Sequence, residues 1–557
     1  MCRLGAAACA LLLAACSGGG GSDTPASVPL SGTVSFDLVP VLAGGGLDYA
    51  ATEAQPVRGG TVELVSEQGE VLASTRTDEQ GRYSVSADPN TLLLVRAKAE
   101  LARTGMPSWS YQVRDNTNAN ALYALDGAVF NTGTSAQTVD LHAASGWDQS
   151  TSSYAETRAA APFAILDAVY DAVQLVLAAE PTLAFPALDI YWSPDNVPNL
   201  DAGGNPNLSS GEIGTSFFAL GLGIYLLGAE DEDTDEYDRH VITHEWAHHF
   251  ENAFSRTDNI GGPHALIDQL DLRVAFSEGF ANAFSAMVTG DSIYRDADGP
   301  RQARAGSFDV EDAAFVFSSN PGWFSEISTQ EILYDLFDAN QDSLEDVLAL
   351  GFAPLYEAFA DRQVNVLGLT SIFTFIDALK QNLPLDAAAI DGLVDTQSIA
   401  AVVDEFGSNE QNAGFPSSND VLPIYRDLTV NAGPVNVCSI DDFRSSNTGS
   451  VNKLGSRQFL KFSVTTPGTH TILVRATEVP QNEQADPDLV LHRRGSFAIS
   501  QDDPGVDCTA QTPLACEERM SLSLGADDYV LEVYEWSNTA PEDAPIGRTC
   551  FDVEVTL

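Results

Sequence analysis

The sequence predicts a multidomain fold in three parts. These are an amino-terminal β-sandwich over 31–142, an α+β domain over 143–407 that is mostly helical after its histidine-rich helix, and a carboxyl-terminal β-sandwich over 432–557. Residues 408–431 read as a linker. Three observations carry this reading. Apolar and polar residues alternate toward both ends of the chain, which is the period of strands. From Ala155 the period lengthens to that of helices. With 557 residues, the chain is long enough for two to four domains.

The first residues, "MCRLGAAACALLLAACSGGGGSD", place one Arg before a short apolar run. That run is too short for a permanent membrane span, so 1–15 reads as a cleaved export signal. Its end, Leu13-Ala14-Ala15-Cys16, resembles a bacterial lipobox. The resemblance implies cleavage before Cys16, lipidation of Cys16 and a Gly/Ser-rich tether over 16–30. Ser17, where no Asp stands, then implies the outer membrane or cell surface of a Gram-negative bacterium. No later segment reads as apolar enough to span a membrane. The lipid anchor is thus the one membrane contact expected.

From Ser31 to about His142, segments such as "GTVSFDLVP" and "TLLLVRAKAEL" alternate and break at Gly, Asp and Pro. The stretch "GTVELVSEQGEVLASTRTDEQGRYSV", with its Gly69 hairpin and the turn from Thr77 to Tyr83, resembles the carboxypeptidase regulatory-like domain. That resemblance covers roughly seventy residues and implies a small β-sandwich serving as scaffold or adhesive module. The Ala-rich stretch from Ala155 to Pro181 predicts one long helix. "ALDIYWSP", "IGTSFFAL" and "GIYLLG" predict strands, and Ser277 to Phe406 reads as mostly helical.

Four of the eight histidines lie in "HVITHEWAHHFENAF", His240 to Phe254. His244-Glu245-Trp246-Ala247-His248 matches H-E-x-x-H. Positions i and i+4 share one helix face a turn apart, so both imidazoles can reach one Zn²⁺, with Glu245 beside them to take a proton from zinc-bound water. His240 and His248 are separated by roughly 12 Å of helix rise, too far to close on one ion with bonds of about 2 Å. His240 therefore reads as a supporting or helix-start residue. His249, rotated about 100° from His248, reads as a packing neighbour.

A catalytic zinc site needs a third protein ligand. The metzincin pattern would put Gly at 251 and His at 254, where this chain has Glu251 and Phe254. "AFSEGFANAFSAM" instead offers Glu278 on a second helix, after the turn-rich "SRTDNIGGPH". This arrangement resembles the gluzincins, including the fungalysin and thermolysin groups. The resemblance implies a zincin-like fold for the central domain, zinc on His244, His248 and Glu278, and Glu245 as general base. It also implies an orienting acid four residues past Glu278, where this chain has Asn282. An amide oxygen can still accept a hydrogen bond from His244 but carries no charge. The family's late histidine is absent, so candidates for stabilising the oxyanion are Tyr334, Tyr294 and His264. Asp231, Asp233, Asp235 and Asp238 in "DEDTDEYD" could hold Ca²⁺, although the run lacks the EF-hand's central Gly and final Glu.

The carboxyl-terminal strands, including "DPDLVLHRRG" and "GADDYVLEVYE", resemble the pre-peptidase C-terminal domain of secreted bacterial peptidases. Cys438, Cys508, Cys516 and Cys550 all fall near this part. An even set in an exported chain points to two disulfides. Three pairings are open, and the favoured one joins Cys438 to Cys550 and Cys508 to Cys516.

The chain carries 79 Asp and Glu against 27 Lys and Arg. Such acidity argues against nucleic acid, because phosphate contacts need Lys and Arg. The expected function is a lipid-anchored zinc metallopeptidase, with an endopeptidase preferred and a protein or peptide as substrate. The alternatives are an aminopeptidase, for which no motif binding a substrate's N-terminus precedes the helix, and a surface binding or adhesion lipoprotein with a non-catalytic core. The intact Glu245 weighs against the latter, since a structural zinc site needs no general base.

Overall fold

Alternation along the first strand, β1 (Val28–Leu38), becomes burial: Val28, Leu30, Val34 and Phe36 face the core. The strand pairs antiparallel with Arg82–Ala87. The computed structural model describes residues 27–202, 204–312, 320–339, 347–414, 419–494, 496–501, 516–540 and 544–557. The expected signal, Cys16, Cys508 and most of the tether lie outside the described residues. The architecture is multidomain and β-rich, with helices grouped in the middle of the chain.

The largest sheet uses β2 (Gly60–Ser66), β3 (Val71–Arg76), β4 (Leu92–Arg103), β5 (Trp109–Asp115), β6 (Leu188–Trp192), β7 (Phe217–Ala219) and β8 (Gly223–Leu226). Its order is β7-β8-β6-β5-β4-β2-β3. This corrects the boundary expected at 142/143. β5 from the first part pairs in parallel with β6 from the second, Leu188 against Tyr111 and Ile190 against Val113. Alternation marks a segment as a strand but does not name its partner.

Parallel neighbours need a long crossover, and part of the β5–β6 crossover is the helix α1 (Ala161–Ala179). The expectation that no later segment is apolar enough to span a bilayer fails here, since α1 meets that test by length and composition. Most of its residues are buried in the core, against β4, β5 and neighbouring helices. Its apolarity is thus accounted for by packing on two sides.

Among the helices that follow are α2 (Arg239–Phe254), α3 (Leu272–Thr289) and α4 (Glu326–Phe337). Between α3 and α4 the expected helical region contains a hairpin instead, β9 (Ile293–Asp298) and β10 (Arg304–Asp309). Tyr294 and Phe308 lie opposite each other on it with rings stacked 4.8 Å apart. Such cross-strand aromatic pairs stabilise hairpins, and Asp298-Gly299-Pro300 carried the turn signal.

Two sheets form the carboxyl-terminal sandwich. One joins Arg457–Val464, Asp527–Glu535, Pro487–Arg493 and Ser496–Gln501. The other joins Val435–Ser439, Thr549–Thr556, Gly468–Glu478 and Glu517–Leu524. The expected linker is not wholly a linker, because Tyr425–Asp427 adds to the first sheet in parallel with Arg457–Val464. Cys438 and Cys550 form the expected disulfide. Cys516 is buried and disulfide-bonded.

Glu535 is fully buried here, with its carboxylate accepting from the Asp486 and Ser537 amides. Burial raises its pKa from 4.5 to about 8. A raised folded-state value means that the protonated form favours folding. Its contribution is full below the unfolded value and disappears as pH climbs through about 8. Glu535→Gln is therefore expected to flatten the loss of stability between pH 5 and 8. Melting temperatures of both proteins across that range check this.

Candidate metal centre

Helix α2 is buried on nearly every side: Val241, Ile242, Trp246, Ala247 and Phe250 are buried, and so are the polar His240, Thr243, Glu245, His249 and Glu251. Its aromatic residues lock it to α3, with Trp246 and Phe250 stacked on Phe284 at 5.7 and 5.5 Å. That packing fixes the face carrying His244 and His248 against the face carrying Glu278. Gly290, in the left-handed conformation at φ 65°, ends α3.

Gly279 sets the approach of α4 to α3. A Cβ there would sit 2.6 Å from the Glu326 carbonyl oxygen and 2.5 Å from the Thr329 Cβ. With only hydrogen at that position, α4 comes close enough to deliver Glu326 and Gln330 beside Glu278 and Asn282. In an open helix, Gly→Ala gains about 0.5–1 kcal/mol. Here a backbone carbonyl blocks the methyl, and overpacking costs about 1–3 kcal/mol. Gly279→Ala is expected to lower both the melting temperature and zinc affinity, as read by thermal denaturation and zinc titration. A rise in both would contradict this packing argument.

The three residues named from sequence converge. His244 Nε2 lies 3.2 Å from His248 Nε2. Glu278 Oε2 lies 3.4 Å from the first and 3.3 Å from the second. Donors arranged tetrahedrally around an ion at about 2.0–2.1 Å stand about 3.3 Å from one another. The two imidazoles and one carboxylate thus have the spacing, and the donor chemistry, that Zn²⁺ takes.

Each histidine has its other nitrogen occupied. Asn282 Nδ2 donates to Gln330 Oε1 at 3.0 Å, which turns Asn282 Oδ1 toward His244 Nδ1 at 2.9 Å. His244 then carries its proton on Nδ1 and offers the Nε2 lone pair. Ser277 Oγ donates to Glu251 Oε2 at 2.6 Å and accepts from His248 Nδ1 at 3.3 Å. Glu251 and Gln330 were not expected from sequence. Neither lies in a motif, and only the fold brings them to the site. Glu278 is also held through Oε1, which accepts from Asn259 Nδ2 at 3.2 Å. Burial alone would raise the Glu278 pKa, but His248 and His264 outweigh it and hold the carboxylate well below its ordinary range.

Glu245 is buried, and its charge acts on both His248 and Tyr294. The Tyr294 ring meets His244 edge-on at 6.2 Å. His264 Nε2 lies 3.6 Å from Glu278 Oε2 and 3.7 Å from Glu326 Oε2, and its Nδ1 donates to the Gly262 carbonyl at 3.2 Å. The fold therefore brings Tyr294 and His264 to the cluster. Tyr334 is not brought there. It lies two turns along α4 from Glu326, roughly 12 Å of rise. Its ring packs on Phe337, and the charges that act on it are Asp338, Glu311, Asp291 and Asp309.

His240 Nε2 contacts the Asp291 carbonyl at 2.9 Å and the Thr289 hydroxyl at 3.1 Å, tying the start of α2 to the end of α3. His249 is buried among Tyr111, Trp246 and Phe218. Burial drives its pKa down to about 4, so it packs as a neutral ring.

The acidic run before α2 divides. Asp233 and Asp235 meet Asp296 of β9, with one oxygen from each within 4.8 Å of the others. The charges of Asp238 and Asp298 also act on this group. Asp231 turns away, and its Oδ1 accepts from the Arg301 amide at 2.6 Å. Sequence reading could not reach Asp296 and Asp298, which arrive from a hairpin some sixty residues downstream.

No protein-family model and no curated protein matches the chain. Solved structures show only weak likeness, two of them as follows. One is the pre-peptidase C-terminal domain of a collagenase from Bacillus anthracis, at 11% identity and TM-score 0.14, covering 24% of this chain and 93% of that one. The other is described as a candidate carbohydrate-binding protein from Pseudomonas aeruginosa, at 12% identity and TM-score 0.13, covering 22% of this chain and 90% of that one.

Proposed function

We propose that the chain is a zinc metallopeptidase of gluzincin type, with His244, His248 and Glu278 as ligands and a zincin-like central region. What supports this most is the mutual spacing of the three donor atoms, 3.2 to 3.4 Å, with Glu245 beside them. Zinc, when bound, supplies a Lewis acid that acidifies water and polarises the substrate carbonyl. Glu245 takes the proton from the attacking water and returns it to the departing amine. His264 and Tyr294, both next to the cluster, are the donors proposed for the developing oxyanion. β7 is the terminal strand of the large sheet, and its Phe218 ring lies 5.9 Å from His249 of α2. An extended peptide can add to that edge through backbone hydrogen bonds, which suits an endopeptidase acting on unfolded protein. The Cys438–Cys550 disulfide fits an exported protein, in keeping with the lipid anchor proposed at Cys16.

A second cation, Ca²⁺, is proposed at Asp233, Asp235 and Asp296. Asp235 is 2% exposed, and its Oδ1 has no hydrogen-bond partner; nor do the buried Oδ1 atoms of Asp233 and Asp296. Buried carboxylates without partners are costly, and an all-oxygen donor set suits a hard cation.

The peptidase reading is tested by incubating the purified chain with denatured casein. Cleavage is expected, with loss under 1,10-phenanthroline and return on adding Zn²⁺. A zinc-loaded chain that cleaves no casein or unstructured peptide would overturn this reading and favour a surface-binding role.

A further inference from the structure

We propose that the carboxyl-terminal sandwich completes the active site, with Asn452 and Lys453 as positioning residues that hold the 261–264 loop so that His264 stands against Glu278 and Glu326. Its catalytic consequence rests on the peptidase reading above; the clamp itself does not.

The contact is dense and buried. Asn452 Nδ2 donates to the carbonyls of Gly261 and Gly262 at 2.9 and 3.0 Å. Lys453 Nζ donates to the Pro263 carbonyl at 3.0 Å and to Asn452 Oδ1 at 2.5 Å, and lies 3.5 Å from Asp268. Asn452 and Lys453 are 0% and 1% exposed. Three successive carbonyls immediately before His264 are therefore held by two side chains from the other domain. The backbone joins in as well. The Asp271 amide donates to the Asn452 carbonyl and the Leu454 amide to the Gln269 carbonyl, each at 2.9 Å, and Leu270 bridges Lys453. Gly262, at φ 98°, comes so close that a Cβ would lie 2.9 Å from Val451.

A buried ammonium is expensive unless its partners are fixed. Here one partner is the loop's Pro263 carbonyl, beside Asn452 Oδ1 and Asp268, so the ammonium has its full set of partners only when the loop is in place. A loop of this composition, "NIGGPH", has two glycines to widen its conformational range. Without the clamp, its tip would sample positions that take His264 out of reach of Glu278. A second tie acts on α3, which carries Glu278. Arg273 in its first turn bonds Glu532 of the sandwich at 2.9 and 3.1 Å, and Glu532 also takes Arg457 at 2.7 Å.

Simple interdomain packing would give the same contacts without affecting catalysis, so the test must separate the two. In the full chain, Asn452→Ala and Lys453→Met are compared with Val421→Ala, a buried apolar change in the same interface region that leaves the clamp intact. The readouts are amide exchange over 259–268, kcat and KM on a fluorogenic peptide, zinc content and melting temperature. The clamp variants are expected to exchange 261–266 at least about tenfold faster. Their kcat should fall at least about tenfold, with KM within about twofold, because an oxyanion donor acts in the transition state. Zinc content should match the parent. Val421→Ala should lower the melting temperature without either effect. Exchange and kcat within twofold of the parent would overturn the proposal, as would faster exchange with unchanged kcat. Should the parent show no peptidase activity, the peptidase reading falls and the catalytic consequence falls with it, while exchange still decides whether the clamp exists.

Discussion

Glu245→Gln is expected to lower kcat by about 10²–10⁴-fold while leaving one zinc per chain in place. Gln is nearly isosteric with Glu but cannot accept a proton. Glu245 is not one of the three grouped donors, which are His244, His248 and Glu278, so its charge is dispensable for holding the ion. Metal analysis and peptide turnover on the same preparation separate the two roles. Turnover within about tenfold of the parent would remove Glu245 from the role of base. Loss of zinc would instead make it a ligand or a structural support.

The second large effect is on stability. Five aspartates, Asp233, Asp235, Asp238, Asp296 and Asp298, influence one another, with Asp235 and Asp238 buried among them. A cation held there at a hundredfold its dissociation constant stabilises the fold by about 2.7 kcal/mol. For domains of this size that is a melting shift of about 5–10 °C. Stripping Ca²⁺ with EGTA at fixed pH is expected to lower the melting temperature by that amount, and Ca²⁺ but not Na⁺ should restore it. Asp235→Asn should melt lower and lose most of the response. Scans with and without added Ca²⁺ check this. A melting temperature that ignores both EGTA and Ca²⁺ would show that the carboxylates share protons instead of holding an ion.

The local rules of sequence reached as far as single elements. His244 and His248 were legible because i, i+4 on a helix is a geometric statement in itself. Glu278 was legible through a recognised helix–loop–helix pattern, and Asn282 through its offset from Glu278. The fold sets Asn282 Oδ1 2.9 Å from His244, where the charge-free amide is backed by Gln330. Glu251, Gln330, Glu326 and Asp296 were not legible. Each reaches its neighbours through tertiary packing across α3, α4 or the β9–β10 hairpin, and nothing in its own surroundings in the chain marks it. Gly279 explains part of this, since it permits the α3–α4 approach but reads in sequence only as a helix weakness. The missed boundary at 142/143 has the same origin. Strand character is local, whereas the β5–β6 pairing spans α1 and some seventy residues of chain.

One measurement bears most directly on the central claim: a crystal structure of the zinc-loaded chain with anomalous data at the zinc edge. The expected result is a single zinc peak within about 2.0–2.2 Å of His244 Nε2, His248 Nε2 and Glu278 Oε2, with the fourth position left to solvent. Stoichiometric zinc bound elsewhere, or a fourth protein ligand closing that position, would contradict it.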